Sequence, residues 1–455
     1  MDLTTVPAPS RHATEPVAIG SRLELFVDDL LIDRLQGTAL RLHAPQSQPL
    51  ACSPLRGAYL SVLLDGALYR AYYREYAASY AGESFDGNEG ETTRYAESTD
   101  GREWTFPDLG IAEVDGSSHN NAILAGLAPF CHNFAPTVPL DGRPGSPFRF
   151  RALAGVHPGG GHAVPAADGL HAFGSVDGIH WEPLADGPVI THEDFAFDSQ
   201  NVSFWSAAEG CYVCYFRTWA SSAGRLRTVS RTTSPDYLHW SAPVPMDPNL
   251  PGEHLYVSGT HPYFRAPHLY LATPTRFHPD RGDSTDVLFM VTRAGSTRYA
   301  RLFPEAFIRP GPDLERWGNR ANYLACGIVP TGPGEISLYH CHSGVRYTLR
   351  TDGFISVHAG YAPGELRTQP LIFTGRELVL NYSSSAAGSL RVEVQDEGGR
   401  ALPGFGLDAA EEIVGDHLER VVQWQGTPDL GAYAGRPVRL RFALRECDLY
   451  SLRFR

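Results

Sequence analysis

The chain has 455 residues, 42% of them hydrophobic, with 38 Lys+Arg against 51 Asp+Glu and a net charge of −13. That apolar fraction can bury a sizeable core, and acidity without any Lys or Arg run excludes a polyanion held by counterion release, so no nucleic-acid partner is expected. No apolar run approaches the roughly 18 residues that a membrane-spanning helix needs, and no membrane partner is expected either.

There are 46 Gly, 35 Pro, 22 Phe and 21 Tyr but only 3 Met, and aromatic segments punctuated by turn residues read as all-β. Met1 to Glu15 lacks the apolar stretch of a signal peptide, and the 7 scattered cysteines suit reduced thiols, so a cytoplasmic protein is expected. Cys211 and Cys214 form a C-x-x-C within a strand-like stretch, where residues three apart face opposite sides, which argues against redox or zinc chemistry. The first apolar run, Leu23 to Ile32, is interrupted by Asp28-Asp29. A paired acid there is costly unless satisfied. Asp29 is therefore either a third catalytic carboxylate or a structural partner for an arginine.

A repeat then runs along the chain. Ala58–Leu64 turns at Asp65-Gly66 into Leu68–Arg74, followed by Tyr95-Ala-Glu-Ser-Thr-Asp-Gly-Arg-Glu-Trp104. The second copy has strands near Pro129–Phe134 and Phe148–Leu153, then Phe173-Gly-Ser-Val-Asp-Gly-Ile-His-Trp181. The third runs Asn201–Trp205, Tyr212–Arg217 and Ser230–Trp240; the fourth Thr260–Phe264, Leu269–Arg276 and Val291–Tyr299; the fifth Ala321–Val329, Glu335–Tyr339 and Tyr347–Phe354. Each is a hairpin, then a Ser/Thr-x-Asp-Gly-type turn in which Asp caps and Gly takes positive φ, then an aromatic that packs between neighbouring sheets. The copies lie about 55–80 residues apart, room for a four-stranded blade. After about Gly364 the texture becomes period-two alternation, as in Glu377–Asn381, Ser389–Val394 and Val438–Phe442. The predicted fold is a five-bladed β-propeller over residues 1–365 followed by a β-sandwich over 366–455.

This layout resembles the five-bladed glycoside hydrolases: invertases, levansucrases, arabinanases and xylosidases, and the related mannoside phosphorylases. Glu24–Ile32, Asp198-Ser-Gln-Asn201, Phe303–Gly311 and Asp448–Phe454 are similar to bacterial proteins of an invertase-like branch. The invertase motifs themselves are missing. Ser53-Pro-Leu-Arg-Gly57 stands where Asn-Asp-Pro-Asn-Gly is expected, Phe197-Asp198-Ser199 where Arg-Asp-Pro is, and the only Glu-Cys pair is Glu446-Cys447 near the C-terminus. The resemblance implies a carbohydrate-active enzyme but transfers no acid/base assignment.

In a propeller, inner strands start and second strands end on one face, so residues there converge on an axial funnel. Starting positions are Asn133, Asp198, Gln200, Asn201, His261, Asn319, Arg320 and Asn322; ending positions are Arg74, Glu75, His157, Arg217, Arg276, His340 and His342. Three second strands finish in arginine (Arg74, Arg217 and Arg276), a pattern that reads either as solvated strand ends or as guanidinium forks for sugar hydroxyls, a carboxylate, a sulfate or a phosphate. Glycoside hydrolysis needs two carboxyls. Asp198, before an inner strand, and Glu305, between Phe303 and Phe307, form the expected pair. His340 and His342 share a strand face without a third ligand, so no metal is expected. Phosphate loops, dinucleotide fingerprints and nucleophile elbows are absent, and no cofactor is expected. The expected activity is a glycoside hydrolase acting on a small carbohydrate by carboxylate general acid/base catalysis. Two alternatives stand: a glycoside phosphorylase with an Arg/His phosphate site, and a non-catalytic carbohydrate-binding propeller. Homo-oligomerisation is left open.

Overall fold

The computed structural model describes residues 15–83, 85–137, 147–156, 169–192, 196–220, 225–318 and 320–455. Among the described residues all regular structure is β-strand, apart from three single-turn 3-10 helices, Pro279–Arg281, Leu314–Arg316 and Gly431–Tyr433. No helix there is long and apolar enough to cross a membrane. The chain divides into two compact units, Pro45–Thr348 and Met1–Ala44 with Leu349–Arg455.

The larger unit is a succession of small antiparallel sheets. The first holds Ala58–Asp65, Leu68–Tyr76, Glu91–Ser98 and Ala122–Leu124. The second holds Ala135–Pro136, Phe150–Ala154, His171–Ser175 and Glu182–Pro183, and the third Val202–Ser206, Cys211–Ala220, Leu226–Ser234 and Val244–Pro245. Two interleaved three-stranded sheets follow between His254 and Arg293. The last sheet pairs Val329–Gly332, Glu335–Tyr339 and Arg346–Arg350, and takes its fourth strand, Gln46–Ser47, from the start of the unit. The first and last sheets also join directly: Val62 N donates to Cys326 O and Cys326 N to Leu60 O, each at 2.8 Å. The sheets thus close into a ring, the propeller arrangement, which leaves no long open edge.

The repeated turn behaves as its chemistry dictates. Asp100 Oδ1 accepts the backbone N–H of Arg102 at 2.8 Å and of Glu103 at 3.1 Å. Asp177 and Asp236 do the same for the two residues at matching offsets. The aromatics then pack across sheets: Trp104 lies edge-on to Tyr339 of the last sheet, with ring centres 5.7 Å apart.

The second unit is built around two long strands, Leu378–Gln395 and Pro437–Phe454, paired antiparallel. The N-terminal stretch belongs here. Glu24–Leu25 pairs with Ser451 and Leu452, Ile32–Gln36 with Gly364–Thr368, and Thr38–Leu42 with Ile355–Ala359. Phe26 and Leu31 enter the core formed by Val392, Trp424, Leu440 and Phe454. The division expected at 365/366 therefore falls inside the strand Gly364–Thr368, and residues before Ala44 pack with the C-terminal unit. The reason is burial: the apolar run Leu23–Val27 finds its partners in strands more than 300 residues later.

Candidate active site

Three short segments, each at the end of a strand in the larger unit, bring polar side chains together. The first is 196–201, leading into Val202–Ser206. Phe197 sits at φ 66°, a conformation unfavourable for a bulky residue unless its surroundings impose it. Two buried asparagines impose it. Asn133 Nδ2 donates to Phe197 O at 2.8 Å and Ser199 O at 3.0 Å, and Asn201 Nδ2 donates to the same two carbonyls at 3.0 Å. Gln200 Nε2 ties the turn to the first sheet through Tyr59 O at 2.9 Å and Ser61 Oγ at 2.9 Å. The turn everts Asp198, whose side chain keeps 15% exposure while its neighbours Ser199, Gln200 and Asn201 are buried.

The second segment leads into Ala135–Pro136 and presents His132, which is fully buried. Its Nδ1 lies 2.9 and 3.0 Å from the two oxygens of Glu91, and its Nε2 lies 3.6 Å from Asp198 Oδ1. Arg74 approaches the same Nδ1 to 2.6 Å and the Gly87 N–H approaches it to 3.1 Å, while the Glu91 carboxylate lies 3.0 Å from Arg74. Glu91 further accepts from Gly87 N at 3.1 Å and Tyr76 OH at 3.1 Å.

The third segment is the loop between Tyr76 and Glu91, which carries Asp86. Gly87 follows at φ +86°, where an added Cβ would lie 2.7 Å from Pro129, so the loop presses against the approach to the second sheet. Asp86, His132 and Asp198 each offer an atom within 4.8 Å of the others.

These environments push two carboxyls in opposite directions. Burial and the neighbouring Asp198 charge raise the Asp86 pKa. Burial would raise Asp198 too, but the His132 side chain, 3.6 Å away, and the Arg217 guanidinium, 3.7 Å away, outweigh it and hold Asp198 well below the usual carboxylate range. His132 is raised: its bonds to Asp198 and Glu91 outweigh the burial that opposes its charge. Around this cluster stand Arg320, whose charge acts on both carboxyls, and Tyr59, Tyr256 and Tyr323, whose hydroxyls burial pushes up. The Arg74 guanidinium lies over the Tyr59 ring at 4.8 Å. Asp86, His132 and Asp198 are close enough to share a cation. The raised pKa of His132 favours the protonated ring, which offers no lone pair to a cation, and this direction favours a proton relay over a metal centre.

The residues singled out in the sequence divide accordingly. Asp198, Arg74, Arg217 and Arg320 meet here, and His342 feels the charges of Arg74 and Arg320. Asn133, Gln200 and Asn201 have amide nitrogens committed to backbone or Ser61, and so shape the Asp198 turn. Asn322 bonds Thr285 O and Arg316 O at 2.9 and 2.7 Å, and His261 bridges Gly259 O and Ile328 N, so both fasten loops. His340 is buried on Ser343 and pushed down to about 3 by burial, Arg316 and His342. Arg276 is engaged with Asp286 and lines, with exposed Glu305, a separate surface cavity of about 690 Å³ that includes neither Asp86 nor Asp198. Asp29 is exposed in the other unit. Glu305, expected to pair with Asp198, lines this other cavity, and the carboxyl that lies beside Asp198 is Asp86. His157 and Asn319 lie outside the described residues.

Asp86, His132 and Glu91 were not singled out from the sequence. His132 stands one residue before Asn133, on the same approach to an inner strand, and that was its available signal. Asp86 lies in a loop between the second and third strands of its sheet, where position alone marks nothing.

No family model and no curated protein matches this chain. Solved structures do. A glycoside hydrolase is similar over 70% of this chain and 91% of its own, at 15% identity and a TM-score of 0.45. An N-acetylgalactosamine deacetylase from F. plautii, in complex with blood group B trisaccharide, covers 90% and 95% at 13% identity and 0.43. A β-1,2-mannobiose phosphorylase from Listeria innocua covers 67% and 92% at 12% identity and 0.45.

Proposed function

We propose that this chain is a carbohydrate-active enzyme that cleaves a glycosidic bond between Asp86 and Asp198. One observation carries the reading: two carboxyls face each other with pKa values pushed apart, the arrangement that separates an acid from a base. Asp86, whose carboxyl is pushed toward the protonated form by burial and by its neighbour's charge, donates its proton to the departing glycosidic oxygen. Asp198, kept ionised by His132 and Arg217, stands opposite as the carboxylate that meets the anomeric carbon. Their nearest oxygens lie within 4.8 Å of each other, short of the roughly 6.5–9.5 Å between the carboxyls of inverting enzymes. His132 and Glu91 hold Asp198 in place. Tyr59, Tyr256 and Tyr323 supply apolar faces with polar edges, suited to a sugar ring.

Phosphorolysis is the second reading, favoured by Arg320, whose charge acts on both carboxyls, and by His342 beside Arg74 and Arg320. The test is turnover of aryl glycosides with and without inorganic phosphate, in the wild type and in D198N. Loss of about 10²–10⁴ in kcat for D198N, with sugar affinity kept, supports catalysis. Unchanged turnover in D198N overturns it. Turnover only with phosphate selects phosphorolysis over hydrolysis.

A further inference from the structure

One face of the hairpin formed by Cys211–Ala220 and Leu226–Ser234 is unusually cationic. Trp219 lies opposite Arg227 in register, and Arg217, two residues before Trp219, shares its face. Arg225 precedes the returning strand, just beyond the Ala220–Leu226 pair. All three guanidinium carbons surround one indole, at 5.0 Å for Arg217, 4.8 Å for Arg225 and 5.0 Å for Arg227 from the Trp219 ring centre. Arg227 is also 4.6 Å from the Tyr256 ring.

The row begins at the proposed catalytic pair, where Arg217 lies 3.7 Å from Asp198, and runs outward to exposed Arg225. Asp198 offsets Arg217 at its inner end, but the outer end, Arg225 and Arg227, has no carboxylate partner among the described residues. Glu91 and Asp198 offset Arg74 and His132. Among the described residues, neither Arg225 nor Arg227 forms an ion pair with a carboxylate, and Arg227 Nε is buried without a hydrogen-bond partner. The Arg227 guanidinium instead faces His254 Nδ1 at 3.5 Å, a ring that burial and Arg227 itself keep neutral. An indole face attracts cations but supplies no counter-charge. Like charges gathered on one face are stabilised by an anion that bridges them, and a guanidinium fork fits the two oxygens of a carboxylate, sulfate or phosphate.

We propose that Arg225 and Arg227, stacked on Trp219, form an oxyanion subsite, and that the substrate cleaved at Asp86 and Asp198 is a sugar bearing a negative substituent, a uronate carboxylate or a sulfate ester. The sugar part of this assignment rests on the glycosidic reading above; the oxyanion site does not. Free inorganic phosphate offers the same chemistry from another source.

Calorimetric titration separates these. The probes are three pairs of neutral and acidic sugars (glucose and glucuronate, galactose and galacturonate, mannose and mannuronate), glucose 6-sulfate, and inorganic phosphate. They are run on the wild type, D86N, R227K and R225E; Arg225 is exposed, so its reversal leaves the fold intact. At least one acidic sugar is expected to bind ten-fold or more tighter than its neutral partner. That preference persists in D86N, which has lost turnover, and weakens ten-fold or more in R225E while the neutral sugar binds as before. Preserved affinity in R227K shows that charge at this position suffices. Equal affinity for neutral and acidic sugars, or an acidic preference untouched by R225E, overturns the subsite and leaves the glycosidic reading standing. Phosphate binding that R225E weakens, without any sugar binding, keeps the oxyanion site and discards the sugar. Binding of none of the probes overturns both.

Discussion

Glu91 and Asp198 grip one imidazole from opposite sides: Glu91 approaches His132 Nδ1 to 2.9 Å and Asp198 approaches Nε2 to 3.6 Å. Glu91 opens a strand of the first sheet, His132 leads into the second and Asp198 into the third. A single buried ring therefore couples three sheets, and its charge couples the stability of the larger unit to the electrostatics of the candidate site.

That coupling has a sign. The folded pKa of His132 is raised above its unfolded value, so its contribution to stability is complete below about pH 6.5 and is lost as pH rises through the folded pKa. E91Q removes the buried anion that, with Asp198, raises His132, and leaves two cations, Arg74 and His132, without it. Urea unfolding is expected to show E91Q destabilised by about 3 kcal/mol or more at pH 5.5, with a smaller gap to wild type at pH 9. A gap that does not change with pH would show that His132 is neutral in the fold.

D86N separates the catalytic from the structural role of the second carboxyl. Asp86 acts in its protonated form, so wild-type kcat/KM is expected to fall as pH rises through its raised pKa. The acid limb should appear only below the ordinary carboxylate range, because Asp198 is held ionised. D86N is expected to lose about 10²–10⁴ in kcat and to lose the alkaline limb. Its stability should move the other way. A carboxyl whose folded pKa is raised destabilises the fold at any pH above its unfolded pKa, where the unfolded chain is already ionised, so at pH 7 the variant should melt on the order of 1–2 °C higher than wild type. A lower melting temperature would place Asp86 among the structural groups.

The propeller was legible because its signal is local. Ser98, Asp100 and Gly101 make a turn by bonding within five residues, and the same chemistry recurs at Ser175 and Ser234. Asp198 was legible for a similar reason, as the residue before an inner strand. What failed was anything whose meaning depends on distant chain. Asp86 acquires its role only from Asp198, more than 100 residues later, and Phe26 packs with Phe454, so neither its unit nor the boundary could be read from local texture. The burial expected for Glu305 from its apolar neighbours was not legible either, because Phe307 is buried while the glutamate itself is exposed.

Glu305 supplies a sharp contrast between the two readings of the site. It is exposed and lines the cavity with Arg276, Asp286 and Trp317. E305Q is expected to keep kcat and KM within about two-fold of wild type, since surface substitutions away from paired groups change little. A loss comparable to that of D198N would return Glu305 to the catalytic pair and displace Asp86.

The closure of the ring can be tested at one glycine. Gly327 follows Cys326, which exchanges backbone hydrogen bonds with Leu60 and Val62, so the last sheet meets the first here with no side chain between them. Its φ is +117°, and an added Cβ would stand 2.0 Å from Val62 O, a rigid backbone atom. Alanine must push the two sheets apart or break their hydrogen bonds. Gly110 is the control: its φ is +66°, but a Cβ would meet nothing within 4 Å. G110A therefore carries only the cost of a left-handed residue, about 1–2 kcal/mol, whereas G327A adds overpacking of about 1–3 kcal/mol on top of its own backbone strain. Thermal melts are expected to rank wild type above G110A and G110A above G327A. Because the turn that carries Asp198 is tied through Gln200 to Tyr59 and Ser61 on that same first sheet, G327A should also lower kcat while G110A leaves it unchanged. Equal melting temperatures for the two variants would mean that the first and last sheets do not meet at Gly327.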